Sequence, residues 1–163
     1  MENFQNFSSI CVKCGICCDG TLFSKARIKD EADEQLVKGL GLSIFEQANG
    51  KRYFHQPCSV FDGCCTVYQL RPKVCQYFLC EPLKKVKNNE MSFEQAEKLV
   101  TTTLALRSEI VETASKIEIF KHYSIPLFLK EMVPKPSEKL KEYPALLIKI
   151  AAIRVALMGF RKK

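Results

Sequence analysis

At 163 residues, 47% of them hydrophobic, the chain is long enough to enclose an apolar core and too apolar for wholesale disorder. Its net charge of +7 comes from residues 83–163, which carry sixteen Lys/Arg against nine Asp/Glu, whereas residues 1–82 balance at nine of each. No run of about 18 uncharged apolar residues occurs, so no transmembrane span is expected.

The opening residues Met-Glu-Asn-Phe-Gln-Asn-Phe-Ser-Ser lack a basic segment followed by an apolar stretch and a cleavage site. No secretory signal is visible, and a cytoplasmic setting is expected. In that reducing compartment nine cysteines point to metal or redox chemistry rather than to cross-linking. Thr21-Leu-Phe reads as a short strand and Lys29 to Gly39 as a helix that Gly39 or Gly41 ends in a left-handed conformation. Ser43-Ile-Phe-Glu has capping-box chemistry and reads as the start of another helical turn. Asn49-Gly50 is a turn leading into an extended Lys51 to His55.

Glu81 to Asn89 reads as an exposed connector, because proline and a polar, basic run break any hydrophobic period. Ser92-Phe-Glu-Gln95 is a second capping box. Ala96, Leu99, Thr103, Leu106, Ile110, Ala114, Ile117 and Phe120 then recur at helical spacing, which predicts one long amphipathic helix. Pro126, Pro134 and Pro136 bracket a predicted loop containing Leu127-Phe-Leu, and a last helix runs from about Pro144 to Phe160. That helix is apolar on most sides except at Lys149 and Arg154, and packing on its own domain's core is expected over a membrane surface or a partner's groove. The predicted fold is α+β and mainly helical. A small metal-stapled cysteine-rich region with short strands and helices (residues 1–82) packs with long C-terminal helices (residues 83–163) as one compact domain.

All nine cysteines fall between Cys11 and Cys80, spaced Cys11-x2-Cys14-x2-Cys17-Cys18, then 39 residues, then Cys58-x5-Cys64-Cys65-x9-Cys75-x4-Cys80. A Cys-x2-Cys loop turns two sulfurs toward one point, as tetrahedral zinc and iron–sulfur clusters require, and Gly15 permits backbone angles that a side chain would resist. The second group is remote, so it shares a site with the first only where the intervening segment folds back.

Cys11-x2-Cys14-Gly-x-Cys17-Cys18-x-Gly20, then Pro57-Cys58, then Cys65-Thr-Val-Tyr68-x2-Arg71-Pro72-x2-Cys75 resembles the YkgJ-type cysteine-cluster family of candidate zinc- or iron-chelating domains. The resemblance covers about residues 8–82. It implies metal ligands at Cys11, Cys14, Cys17, Cys18, Cys58, Cys65, Cys75 and Cys80, and leaves Cys64 outside the pattern. Gln76 stands where the family commonly has arginine. Some relatives are described as iron–sulfur oxidoreductases, and a similar cluster occurs in flagellin lysine methylases.

Eight thiolates suffice for two four-sulfur sites. Each site, whether Zn(Cys)4 or [4Fe–4S], would carry about −2 net charge, so nearby cations are needed. Lys13 and Arg71 are the cations nearest in sequence, and Arg71 has a second reading as a turn residue bonding loop carbonyls. Cys-x2-Cys-x2-Cys with a remote fourth ligand resembles ferredoxin spacing, which favours an iron–sulfur cluster over zinc. His55 and His122 read as ordinary surface or core residues, and Tyr68, Tyr77 and Phe78 as an apolar wall around the site.

No acid, base or nucleophile constellation is visible, so metal binding in a structural, sensing or delivery role is preferred to an iron–sulfur oxidoreductase or transferase. The basic helical half is a candidate surface for a protein partner, although an ordinary solvated helix face is the preferred reading of its charges. Nucleic acid is the less favoured partner, because the lysines alternate with glutamates as on a solvated helix face.

Overall fold

The computed structural model describes residues 9–161. The chain is α+β and mainly helical, and it divides into two compact units, Met1–Leu79 and Cys80–Lys163. In the first unit, helix α1 is described over residues 9–14. It is followed by β1 (Lys25–Arg27), α2 (Glu31–Gly39), β2 (Ile44–Glu46), β3 (Arg52–His55), β4 (Phe61–Asp62), β5 (Cys64–Cys65), a single 3-10 turn (Tyr68–Leu70) and α3 (Lys73–Tyr77).

The strands β1, β3 and β2 lie in that order in an antiparallel sheet, with Arg27 opposite Tyr53 and Phe45 opposite Tyr53. Strand alternation sends Phe54, Ala26 and Ile44 to one face. There they meet Ile28, Val37 and Leu42, and Cys58, Val60, Val74 and Cys75 pack against the same core. The cysteine-bearing loops are thus seated on an apolar floor made by the sheet and α2.

Helix α2 starts at its N-cap, Asp30, whose carboxylate accepts from Asp33 N–H. It stops as expected at Gly41 (φ +68°): Gly41 N–H donates to Lys38 O and Leu42 N–H to Val37 O, which satisfies the last carbonyls. Two expectations fail here. Thr21-Leu-Phe is a loop, with Thr21 N–H on Asp19 Oδ1 and Leu22 N–H on Ile16 O, and the strand begins at Lys25. Ile44-Phe45-Glu46 is a strand rather than a helical turn. The hairpin closed at Asn49-Gly50 pairs it with β3, and Phe45 stacks on His55 at 4.2 Å and on Tyr53 at 5.8 Å. Cross-strand pairing outweighs a local capping signal.

Asp33 links α2 to α3. Its side chain is buried, accepting from Lys29 N–H at 2.9 Å and from Lys73 N–H, the first of α3, at 2.8 Å. Lys73 Nζ adds an ion pair to Asp30 at 2.5 Å. A carboxylate at the start of α3 holds a backbone donor that the helix leaves unpaired, and α3 carries Cys75.

The second unit is all helical: α4 (Glu81–Lys87), α5 (Phe93–Ser115), α6 (Ile125–Glu131), α7 (Glu138–Lys141) and α8 (Pro144–Met158). The predicted connector is in fact α4, because Pro82 falls in the first turn, where a missing N–H costs nothing, and Pro82 and Leu83 are buried. The predicted loop after Pro126 is α6 for the same reason, and its Phe128 is fully buried. Helix α5 has the expected capping box: Gln95 N–H donates to Ser92 Oγ and Ser92 N–H to Gln95 Oε1. It ends at Ser115 instead of Phe120. Turn bonds from Ile117 N–H to Ala114 O and from Phe120 N–H to Ile117 O carry the apolar pattern onward, and Phe120 is buried among Tyr123, Phe128 and Tyr143. Helix α8 packs along α5 through Leu146, Ile150, Ile153 and Leu157, and Lys149 reaches Glu109 at 3.3 Å. Among the described residues no helix is long and apolar enough to cross a membrane.

Replacing Asp33 by Ala strips the Lys29 and Lys73 N–H groups of their acceptor. The expected cost is about 1–3 kcal/mol in denaturant unfolding, with faster amide exchange at Lys73. Wild-type stability and unchanged exchange would rule out this anchoring role.

Candidate metal centre

Helix α1 gives way at Gly15, which adopts φ +62°. A Cβ there would lie 2.1 Å from the ring of Phe61, so the close approach of the two loops depends on glycine. The Gly15 carbonyl accepts from Cys18 N–H at 2.7 Å and from Asp19 N–H at 2.9 Å, wrapping the adjacent pair Cys17-Cys18 into a tight turn. Cys18 O in turn accepts from Cys58 N–H at 2.7 Å, which joins the two cysteine groups directly. Beyond Cys58 the chain forms the β4–β5 hairpin, with Phe61 opposite Cys65, and Thr66 closes it through its N–H and hydroxyl on Val60 O.

These loops, α3 and the sheet enclose a cavity of about 350 Å³ whose lining includes Cys11, Cys17, Cys18, Cys65 and Cys75. Cys58 packs beside them, against the unit's apolar core. All nine cysteines are free thiols. No group of three or more His, Cys, Asp or Glu side chains among the described residues is arranged to hold a single metal ion. The donors are nonetheless of one soft type and gathered on one cavity, so the set fits a thiolate-bound metal or cluster by its chemistry.

Arg71 lines this cavity together with two other cations, Lys25 and Arg27. Its Nε donates to Tyr68 O at 2.7 Å, its guanidinium lies 3.5 Å from the centroid of the Tyr68 ring, and its side chain also hydrogen-bonds Cys11. The loop-carbonyl bond foreseen for it is thus present, and its side chain adjoins Cys11 as well. Gln76 donates to Arg71 O and so braces the same turn.

Burial first, and repulsion among neighbouring thiolates second, push the thiols of Cys18 and Cys75 up to about 12 from an ordinary 9.0. Burial also raises Cys58. It raises Cys11 as well, against the opposing pull of Arg71 and the Tyr68 hydroxyl. These cysteines are protonated at neutral pH without a metal.

The remaining predicted residues lie elsewhere. Lys13 is exposed and does not line the cavity; Cys14, half-buried at the end of α1, does not line it either. Cys80 belongs to the second unit, where it is the N-cap of α4. Cys64 is exposed on its hairpin, and His55 is exposed against Phe45. Tyr68 and Phe78 do wall the cavity, but Tyr77 is 78% exposed. The sequence reading missed Phe23, Lys25, Arg27 and Tyr53, which line the cavity along with Ala26, Gln56 and Val74. Their one signal was the alternation Lys25-Ala26-Arg27, which puts both cations on one face of a strand.

No curated protein and no solved structure matches the chain. The family model of the CxxCxxCC domain, a candidate zinc- or iron-chelating domain, matches residues 10–100. This span takes in the α1 loop, the sheet, the hairpin and α3, and covers more than half of the chain, which therefore belongs to the CxxCxxCC family.

Proposed function

We propose that the first unit binds an iron–sulfur cluster through thiolates drawn from Cys11, Cys17, Cys18, Cys58, Cys65 and Cys75, with Cys14 and Cys80 completing the set that the family pattern implies. The observation that carries this reading is the gathering of five thiols on one cavity. The Cys11-x2-Cys14-x2-Cys17 spacing with remote cysteines resembles the ligand distribution of iron–sulfur ferredoxins, which favours a cluster over zinc. When bound, such a cluster supplies a covalent staple between the loops and a one-electron centre.

The chain's own residues do the rest. Arg71 offsets negative charge beside Cys11 and Cys75, while Tyr68 and Phe78 limit water at the thiols. The role is binding: structural, sensing or delivery. A second reading, an oxidoreductase or transferase acting on a bound substrate, is favoured by the cavity that opens beside the thiols. Cytoplasmic placement is part of the same proposal.

Protein purified without oxygen is expected to contain iron and acid-labile sulfide in similar amounts, with broad visible absorbance. Zinc alone, without sulfide or colour, would sink the cluster reading. Cys18→Ser and Cys75→Ser should lose most of the iron, whereas Cys64→Ser should keep it; equal loss in all three would contradict the grouping.

The raised thiols set the pH behaviour. A folded-state value above the unfolded one stabilises the protein below pH 9, and that contribution is lost as pH rises toward about 12. Metal-free protein should therefore lose stability across that alkaline window. Loading at neutral pH should release about one proton per coordinating thiol. A pH-stat titration showing no proton release would mean that the buried thiols are not the ligands.

A further inference from the structure

The cavity beside the thiols has walls that a thiolate-bound metal does not use. Phe23, Tyr53, Tyr68 and Phe78 line it with Ala26 and Val74, and its charged lining residues, Lys25, Arg27 and Arg71, are all basic. At about 350 Å³ it falls at the small end of the ~300–1,000 Å³ typical of small-molecule sites. That is room for roughly a dozen water-sized groups at ~30 Å³ each.

The basic residues are not equivalent. Arg71 is committed to Tyr68 O and Cys11. Lys25 and Arg27 project from the same face of β1, two residues apart, next to Tyr53 on β3. Lys25 Nζ lies 4.8 Å from the centroid of the Tyr53 ring, and neither cation is paired with a carboxylate among the described residues. Phe23 and Phe78 meet edge to face at 5.2 Å, forming a rigid apolar wall. Apolar walls favour an apolar body, and two cations on one strand face, without a carboxylate partner among the described residues, favour a negative charge on it.

We propose that this cavity is a binding site for a small organic anion with an aromatic or compact apolar body, the body against Phe23, Tyr53 and Phe78 and the charge at Lys25 and Arg27. The site is built from the sheet side of the cavity and stands whichever metal the thiols take.

Calorimetric titration with naphthoate, beside its neutral counterpart naphthylmethanol, tests this on the full chain in both metal-free and anaerobically purified forms. Expected is saturable one-to-one binding of naphthoate with amide NMR shifts at Lys25, Ala26 and Tyr53, and naphthylmethanol weaker by about tenfold or more. The double variant Lys25→Ala/Arg27→Ala, changed at side chains that lie outside the core, should melt like wild type. It should lose about tenfold for naphthoate and little for the alcohol.

The proposal fails if naphthoate gives no saturable binding, if the alcohol binds equally well, or if the double variant keeps full naphthoate affinity. It also fails if metal-free protein binds naphthoate and cluster-loaded protein does not, since the cavity would then be the cluster's own volume. Metal content measured on the same samples separates the two readings. Naphthoate binding with no metal in the protein removes only the metal assignment; metal without naphthoate binding removes only the anion site.

Discussion

The backbone N–H of Cys58 donates to the carbonyl of Cys18 at 2.7 Å, and that bond joins cysteine segments separated by 39 residues. One hydrogen bond is far too weak to close such a loop alone, since closure entropy grows with length and a net backbone bond contributes only about 1 kcal/mol. The closure is driven by what lies between. Residues from Lys25 to His55 form the sheet and α2, and burial of Ile28, Val37, Leu42 and Phe54 brings the ends of that segment together. Two glycines then remove the steric obstacle: Gly15 beneath the Phe61 ring, and Gly20, at φ +84°, 3.3 Å from Pro57 N by its missing Cβ. Asp33 extends the same frame to α3 and hence to Cys75.

Gathering thiols on a partly buried cavity has an electrostatic consequence. Desolvation is the largest influence on Cys11, Cys18, Cys58 and Cys75, and it opposes ionisation at all of them. Without a metal the favourable state is a set of neutral, weakly polar thiols, which behave as small hydrophobes. That explains how Cys58 and Cys75 can be part of the apolar packing and of the candidate ligand set at once. One arginine cannot ionise so many thiols. A cation bound among them would reverse the balance, because coordination removes the proton and the mutual repulsion together.

How much of this was legible in the sequence differs by level. The cysteine array, Arg71 and Gly15 stood out because metal sites and tight loops demand particular residue types at short spacings. The capping box at Ser92 and the left-handed stop at Gly41 were legible because both are closed within one helical turn. Strand β2 was misread because Ser43 and Glu46 form a local helix-start signal, whereas the pairing with β3 is a contact across the hairpin. The helices α4 and α6 were misread because a proline in a first turn looks the same in sequence as one in a loop. The absence of Cys14 and Lys13 from the cavity follows from the end of α1 just before Gly15, a boundary that cysteine spacing does not encode.

The second unit places different demands on its sequence. Its core is built from Val100, Ile110, Phe120, Phe128, Leu140, Leu146, Ile150 and Ile153, with neither a thiol nor a charge among them. Part of its surface charge is paired locally: Lys116 with Glu112, Lys121 with Glu118, and Lys141 with Glu138, each three or four residues apart, and Lys139 is held by Glu131 and the Tyr123 hydroxyl. Pairs of this kind solubilise a helix and add little stability. The chemistry-bearing side chains thus concentrate in the first unit, where a weak sheet and short helices are organised around thiols, whereas the second unit depends on ordinary apolar packing. Gly15, Gly20, Asp33 and the Cys18–Cys58 bond, which position the cysteine loops, all lie within the first unit, so the frame of those loops is built from that unit's own residues.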